Sequence, residues 1–136
     1  VIDTSQVEAL RPARIARARQ EYQAILHQWQ PDPSIEQCLR DLFHFTQQKQ
    51  IQVVLVWMPE GPSFQRNYST NSRRRIEQWL AQLTAAQQNT MLVDCRTWMT
   101  EDDFVDGHHL LPEAAIRWTR HLTKQVLLPW TTLHHR

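Results

Sequence analysis

The chain of 136 residues predicts an α/β domain built on two parallel strands and about four helices, and three observations carry that prediction. Residues 51–57, I-Q-V-V-L-V-W, form a continuous branched apolar run that suits an interior parallel strand covered on both faces. Residues 90–94, T-M-L-V-D, form a second, shorter run. Between and around them, apolar residues recur every three or four positions, the period of helices packed on a core.

The elements follow in order. Residues 1–10 keep no sustained period and read as an N-terminal arm, leaving residues 11–128 as a single α/β domain and 129–136 as a tail. From Pro12 a first helix carries the stripe Ile15, Ala18, Tyr22, Ile25 and Trp29, with Arg14, Arg17 and Arg19 largely outside it as a solvated face; Pro31 and Pro33 end it. Asp32 before Pro33 has the chemistry of an N-cap followed by a first helical residue. A second helix then runs to about Lys49 with Ile35, Cys38, Leu39, Leu42, Phe43 and Phe45 or Thr46 inward, so Cys38 reads as a small core residue.

After the first strand, Met58 to Pro62 stop the chain abruptly. In an open parallel sheet the loops at the carboxyl ends of strands build the ligand crevice, which places Glu60 and the 58–69 loop, with Arg66, Asn67 and Tyr68, where function is usually found. A third helix begins near Asn71, with Ile76, Trp79, Leu80, Leu83 and Ala86 inward. Arg73, Arg74 and Arg75 in its first turns have the wrong sign for a helix N-terminus, so they are either a solvated face or candidates to bind an anion. The second strand ends at Asp94, followed by Cys95 and Arg96 on the same side as Glu60 if the strands are parallel. A loop at 98–103 precedes the last helix, which carries Ala115, Trp118, Leu122 and Val126. Two strands are few for a parallel sheet, and both read as covered, so missing N-terminal strands or a second copy of the chain should pair with them.

Composition narrows the function classes. Fifteen basic against fourteen acidic side chains leave no global charge to steer the chain toward nucleic acid or an anionic membrane. No apolar run approaches a membrane span. Cys38 and Cys95 form no metal-ligand or dithiol spacing, and no cofactor motif is present. The start at Val1 suggests a processed protein or a segment of a longer one.

The densest chemistry lies at residues 104–113, F-V-D-G-H-H-L-L-P-E. Asp106 and His109, separated by Gly107 and His108, can fold so that the carboxylate meets one ring nitrogen and fixes the tautomer, leaving the other nitrogen as a base. His108 and Cys95 are secondary candidates, together with Glu60 and Arg96. A turn with two solvated histidines is the competing structural reading. A metal site of Asp106, His108 and His109 is disfavoured, since three ligands within four residues cannot easily surround one ion tetrahedrally.

The block D-G-H-H-L, following a strand and Phe104 and preceding a helix with Ala114 and Ala115, resembles the last block of the SGNH (GDSL-like) hydrolases. The runs V-V-L-V-W-M-P, V-D-C-R-T-W and F-V-D-G-H-H-L-L-P-E-A-A are similar, more narrowly, to the C-terminal portion of the membrane-anchored branch that acylates or deacylates cell-envelope polymers; the likeness covers roughly residues 50–125. It implies an incomplete flavodoxin-like three-layer sheet, His109 as general base, Asp106 as its orienting acid, an acyl or ester substrate, and an extracytoplasmic or membrane-anchored full-length protein. The family's Gly-Asp-Ser nucleophile block and its oxyanion glycine and asparagine have no counterpart, since the only glycines are Gly61 and Gly107 and no serine has that context. The resemblance therefore implies the C-terminal segment of a serine acyl hydrolase or O-acyltransferase, inactive alone. The alternative is a non-catalytic binding domain using the 58–69 loop and Arg73 to Arg75.

Overall fold

The computed structural model describes residues 4–134, in which a two-stranded parallel sheet is flanked by helices. β1 (Val53–Trp57) and β2 (Thr90–Asp94) run in register from Val53 opposite Thr90 to Trp57 opposite Asp94. Val53 donates to the Asn89 carbonyl at 2.8 Å, and Cys95 donates to the Trp57 carbonyl at 3.0 Å. The peptide groups of Val53, Leu55 and Trp57 therefore face β2, and the alternation of a parallel ladder sends those of Val54 and Val56 to the opposite edge. No strand pairs with that edge among the described residues.

Helix α1 (Thr4–His27) starts earlier than the sequence indicates and runs through Pro12, so residues 4–10 are helix, not an arm. Val7 and Ala18 are buried, and this tertiary contact outweighs the backbone hydrogen bond that a mid-helix proline removes. Helix α2 (Pro33–Gln48) begins as expected, with Asp32 Oδ1 accepting from the Ser34 amide at 2.8 Å. Its inward face is rotated from the expected one. Phe43 and Thr46 are buried, whereas Cys38 is exposed, and Ile35 and Phe45 are 54% and 51% exposed. Ile25 of α1, expected inside, is 65% exposed. A sheet two strands wide offers too little area to cover these helices, which explains both departures.

A short helix α3 (Pro62–Gln65) and helix α4 (Thr70–Ala85) make the crossover between the strands. Ser69 caps α4 by accepting from the Ser72 amide at 3.1 Å, and both serine hydroxyls donate to the His27 carbonyl at 2.7 Å, fixing α4 to the end of α1. Trp79 Nε1 donates to Glu36 Oε2 at 3.0 Å and joins α4 to α2. An apolar cleft of about 430 Å³ lies between these helices and the sheet, lined by Trp29, Leu55, Trp57 and Trp79 among others.

The expected loop at 98–103 contains a 3-10 turn, Glu101–Asp103, closed by Asp103 Oδ2 accepting from the Thr100 amide and hydroxyl at 2.8 and 2.9 Å. Helix α5 (Pro112–Leu122) passes through a π-helical segment, Thr123–Leu127, into α6 (Leu128–His134). The first part of the expected tail is thus helical; the His134 side chain and His135, the two histidines of that tail, lie outside the described residues. No helix among the described residues is long and apolar enough to cross a membrane.

Candidate functional site

Residues 104–110 close on themselves. Phe104 and Leu110 form an antiparallel bridge, and the Val105 amide donates to the His109 carbonyl at 2.8 Å. Within this narrow loop Asp106 Oδ1 accepts from the amides of His108 and His109 at 3.2 and 2.9 Å. Its other oxygen, Oδ2, lies 2.8 Å from His109 Nδ1. With the carboxylate ionised, Nδ1 carries the proton and donates it. Nε2 makes no hydrogen bond among the described residues, and the ring is 69% exposed where Asp106 is 19% exposed. The short sequence spacing is sufficient for this contact because the Asp106 side chain itself forms the turn.

Burial alone would raise the pKa of Asp106, but the hydrogen bonds from the His109 ring and from the two amides outweigh it and hold the carboxyl below its ordinary value. Asp106 therefore remains ionised through mildly acidic conditions. His108 behaves differently. Its ring stacks on Phe64 with centroids 4.6 Å apart and meets the Tyr22 ring edge-on at 5.1 Å. Desolvation in this aromatic setting is the main reason its pKa is lowered, against the attraction of Asp106. Its Nδ1 is 3.3 Å from Asp106 Oδ1 but lacks hydrogen-bond geometry and is buried without a partner. His108 anchors the loop by packing, while His109 presents its ring outward.

The loop rests on the chain that leaves the carboxyl end of β1. Gly61 donates to the Gly107 carbonyl at 2.6 Å, so the only two glycines of the chain meet backbone to backbone. Gly107 has φ +94°, and a side chain there would come within 2.8 Å of Ser63 Oγ. Ser63 is held in turn by Glu101, whose carboxylate accepts from its amide at 2.8 Å and from its hydroxyl. Ser34, Ser69 and Ser72 also direct their hydroxyls elsewhere. Among the described residues, no serine hydroxyl is hydrogen-bonded to His109.

The other candidates have separate surroundings. Cys95 is fully buried and desolvation raises its thiol pKa, which suppresses the thiolate. Arg96 lies over the Trp57 ring at 3.7 Å and pairs with Asp94 at 2.6 Å and Glu77 at 3.1 Å, so it staples the strand ends to α4. Arg73 donates to the Gln65 carbonyl at 2.9 Å, and Arg74 and Arg75 are exposed along α4. Asp106, His108 and His109 bring ligand-type atoms within 4.8 Å of one another. The Asp106–His109 hydrogen bond already occupies one oxygen and one nitrogen of that set.

Glu60 is buried beside the loop. Tyr68 donates to its Oε1 at 2.7 Å, Trp57 Nε1 lies 3.4 Å from the same atom, and Oε2 has no partner. Desolvation raises its pKa despite those donors and the nearby arginines. Between the ordinary carboxyl range and this raised value the native state binds the extra proton and the unfolded state does not. Stability from Glu60 is thus complete at low pH and lost as pH rises through the folded-state value. Comparing urea unfolding of the parent and Glu60→Gln across pH 4–8 should show the variant gaining relative stability as pH rises, by about 1 kcal/mol. A pH-independent difference would refute this assignment.

Sequence reasoning missed the other wall of the site. Arg11 donates from Nε to the Phe104 carbonyl at 3.1 Å and pairs with Asp102 at 2.7 Å, pinning α1 beside the loop. One and two turns later, Arg14 and Arg17 line a cavity of about 450 Å³ with Glu21, Tyr22, Asp106 and His109. Their position six residues or fewer after Arg11 was a usable signal only once the partner of Arg11 was known.

A protein-family model without a described function matches residues 14–128. No curated protein and no solved structure matches the chain.

Proposed function

The chain belongs to this uncharacterised family, and we propose that it is the acid–base segment of an SGNH-like serine acyl hydrolase or O-acyltransferase, supplied with its nucleophile by other sequence. The observation that carries the reading is the Asp106 Oδ2 to His109 Nδ1 contact of 2.8 Å, with Nε2 left open toward a cavity. In such a reaction a serine attacks the acyl carbonyl while His109 Nε2 takes its proton; the same nitrogen returns a proton to the leaving oxygen, and water or an acceptor hydroxyl then resolves the acyl-enzyme. Asp106 keeps Nδ1 protonated throughout and stabilises the imidazolium.

The edge of β1 that no strand pairs among the described residues, and the exposed Ile25, Ile35 and Phe45, support a larger, flavodoxin-like sheet completed by further strands. A strand added at either edge would end beside the loops at Gly61 and Asp94, the side on which an open α/β sheet builds its site. Under this reading the whole protein works where cell-envelope polymers are acylated.

The test is labelling of the native gene product, in extracts of its source cells, with a fluorophosphonate that reacts with activated serines. Labelling of a product recognised by an antibody to this segment, abolished by prior treatment with an ester-site inhibitor, is the expected result. A full-length product that is recognised but never labelled favours the non-catalytic binding domain instead.

A further inference from the structure

The surface that faces His109 across the cavity carries the strongest unused chemistry. Arg11, Arg14 and Ala18 follow one another at spacings of three and four on α1, so they share a face. Arg11 is consumed in fixing that face to the loop, through Asp102 and the Phe104 carbonyl. Ala18 is buried and its small side chain lets the loop approach. Arg14 is half-buried, Arg17 is exposed, and neither has an ion-pair or hydrogen-bond partner among the described residues. Asp106, an ionised carboxylate on the same cavity wall, turns its oxygens to the His109 ring and two amides and makes no ion pair with either arginine. Glu21 is the second acid on the cavity wall, and it too makes no ion pair with Arg14 or Arg17, so both guanidinium groups keep their donors free.

We infer that Arg14 and Arg17 form an anion subsite that selects a substrate bearing a carboxylate or phosphate group beside the bond handled by His109. A guanidinium presents paired N–H donors in a plane that matches an oxyanion, and a half-buried one holds it more firmly than a solvated one. The inference deepens the acyl-transfer reading by giving its substrate a charge class. An acceptor or ester whose oxyanion sits on Arg14 and Arg17 has its neighbouring hydroxyl or ester oxygen directed toward the imidazole.

The subsite is testable without a nucleophile. The ring signals of His108 and His109 in the isotopically labelled chain are followed by NMR while inorganic phosphate, D-glucuronate and neutral D-glucose are added separately. Saturable shifts with phosphate or glucuronate, none with glucose, and at least tenfold weaker binding in Arg14→Ala/Arg17→Ala are the expected results. The Arg14→Lys/Arg17→Lys variant should recover part of the affinity, and Arg74→Ala should match the parent within twofold. Response to phosphate alone or to glucuronate alone still supports the subsite and separates phosphate-bearing from carboxylate-bearing substrates. Equal shifts with glucose, unchanged affinity in the double alanine variant, or loss of binding in Arg74→Ala would overturn it. If anion binding persists while no product of the gene reacts with the serine probe, the acyl-transfer reading fails and the subsite stands.

Discussion

His109→Ala in the whole gene product is expected to lower kcat for ester cleavage by on the order of 10³-fold or more, with a much smaller change in KM. A loss of that size corresponds to at least about 4 kcal/mol of transition-state stabilisation, far beyond what a solvated surface histidine contributes to stability. Asp106→Asn is the sharper variant. The asparagine oxygen can still accept from the His108 and His109 amides, so the turn that Asp106 now makes at 3.2 and 2.9 Å is retained. Its amide nitrogen, however, presents hydrogens where Oδ2 now accepts from Nδ1, which favours the tautomer that leaves Nε2 protonated and unable to act as a base. The expected result is a fall in kcat of about 10³–10⁴-fold with nearly parental thermal stability. Asp106→Ala removes both functions and should lose activity and stability together. Activity within threefold of parent in both His109→Ala and Asp106→Asn would sink the half-triad reading whatever the substrate.

What could be read in the chain depended on whether the causes were local. The strand at Val53–Trp57 and the cap at Asp32 are set by residues within a few positions of one another, and so is the approach of Asp106 to His109; each follows from local spacing. The start of α1 at Thr4 depends on burial of Val7, and the exposure of Cys38 and Ile25 depends on how much sheet there is to cover them. Periodicity identifies an apolar stripe but does not reveal whether its partner is present. Arg14 and Arg17 illustrate the same point from the functional side. On the helix alone they read as a solvated face, and they line the cavity only because Arg11, ninety-one residues from Asp102, clamps α1 to the loop. The pairing of Gly61 with Gly107 is equally remote in sequence, although two glycines in 136 residues, both in candidate site loops, were a signal that both positions need closely approaching backbone.

That pairing supports the largest expected effect on stability. Gly107→Ala places a side chain on a backbone at φ +94°, outside the regions that L residues favour, and brings its Cβ to 2.8 Å from Ser63 Oγ and 3.3 Å from Phe64 Cβ. Ser63 cannot yield cheaply, because Glu101 holds both its amide and its hydroxyl. The loop must move instead, which strains the 2.6 Å hydrogen bond from Gly61 and the packing of His108 on Phe64. Urea unfolding followed by tryptophan fluorescence should show a loss of about 2–4 kcal/mol. Gly61→Ala is the control. Gly61 has φ −64°, compatible with alanine, and its added Cβ meets the Gly107 carbonyl oxygen at 3.0 Å, so the loss there should be nearer 1 kcal/mol. Adding Ser63→Ala to Gly107→Ala removes the closest clash but leaves the unfavourable φ, and should recover about 1 kcal/mol relative to the sum of the single changes. A Gly107→Ala loss no greater than that of Gly61→Ala would mean that the loop is not set by this contact. The expected order instead ties activity to the same joint: the Asp106–His109 pair rides on Gly107, so a shift large enough to relieve the clash also displaces Nε2 from the cavity it serves.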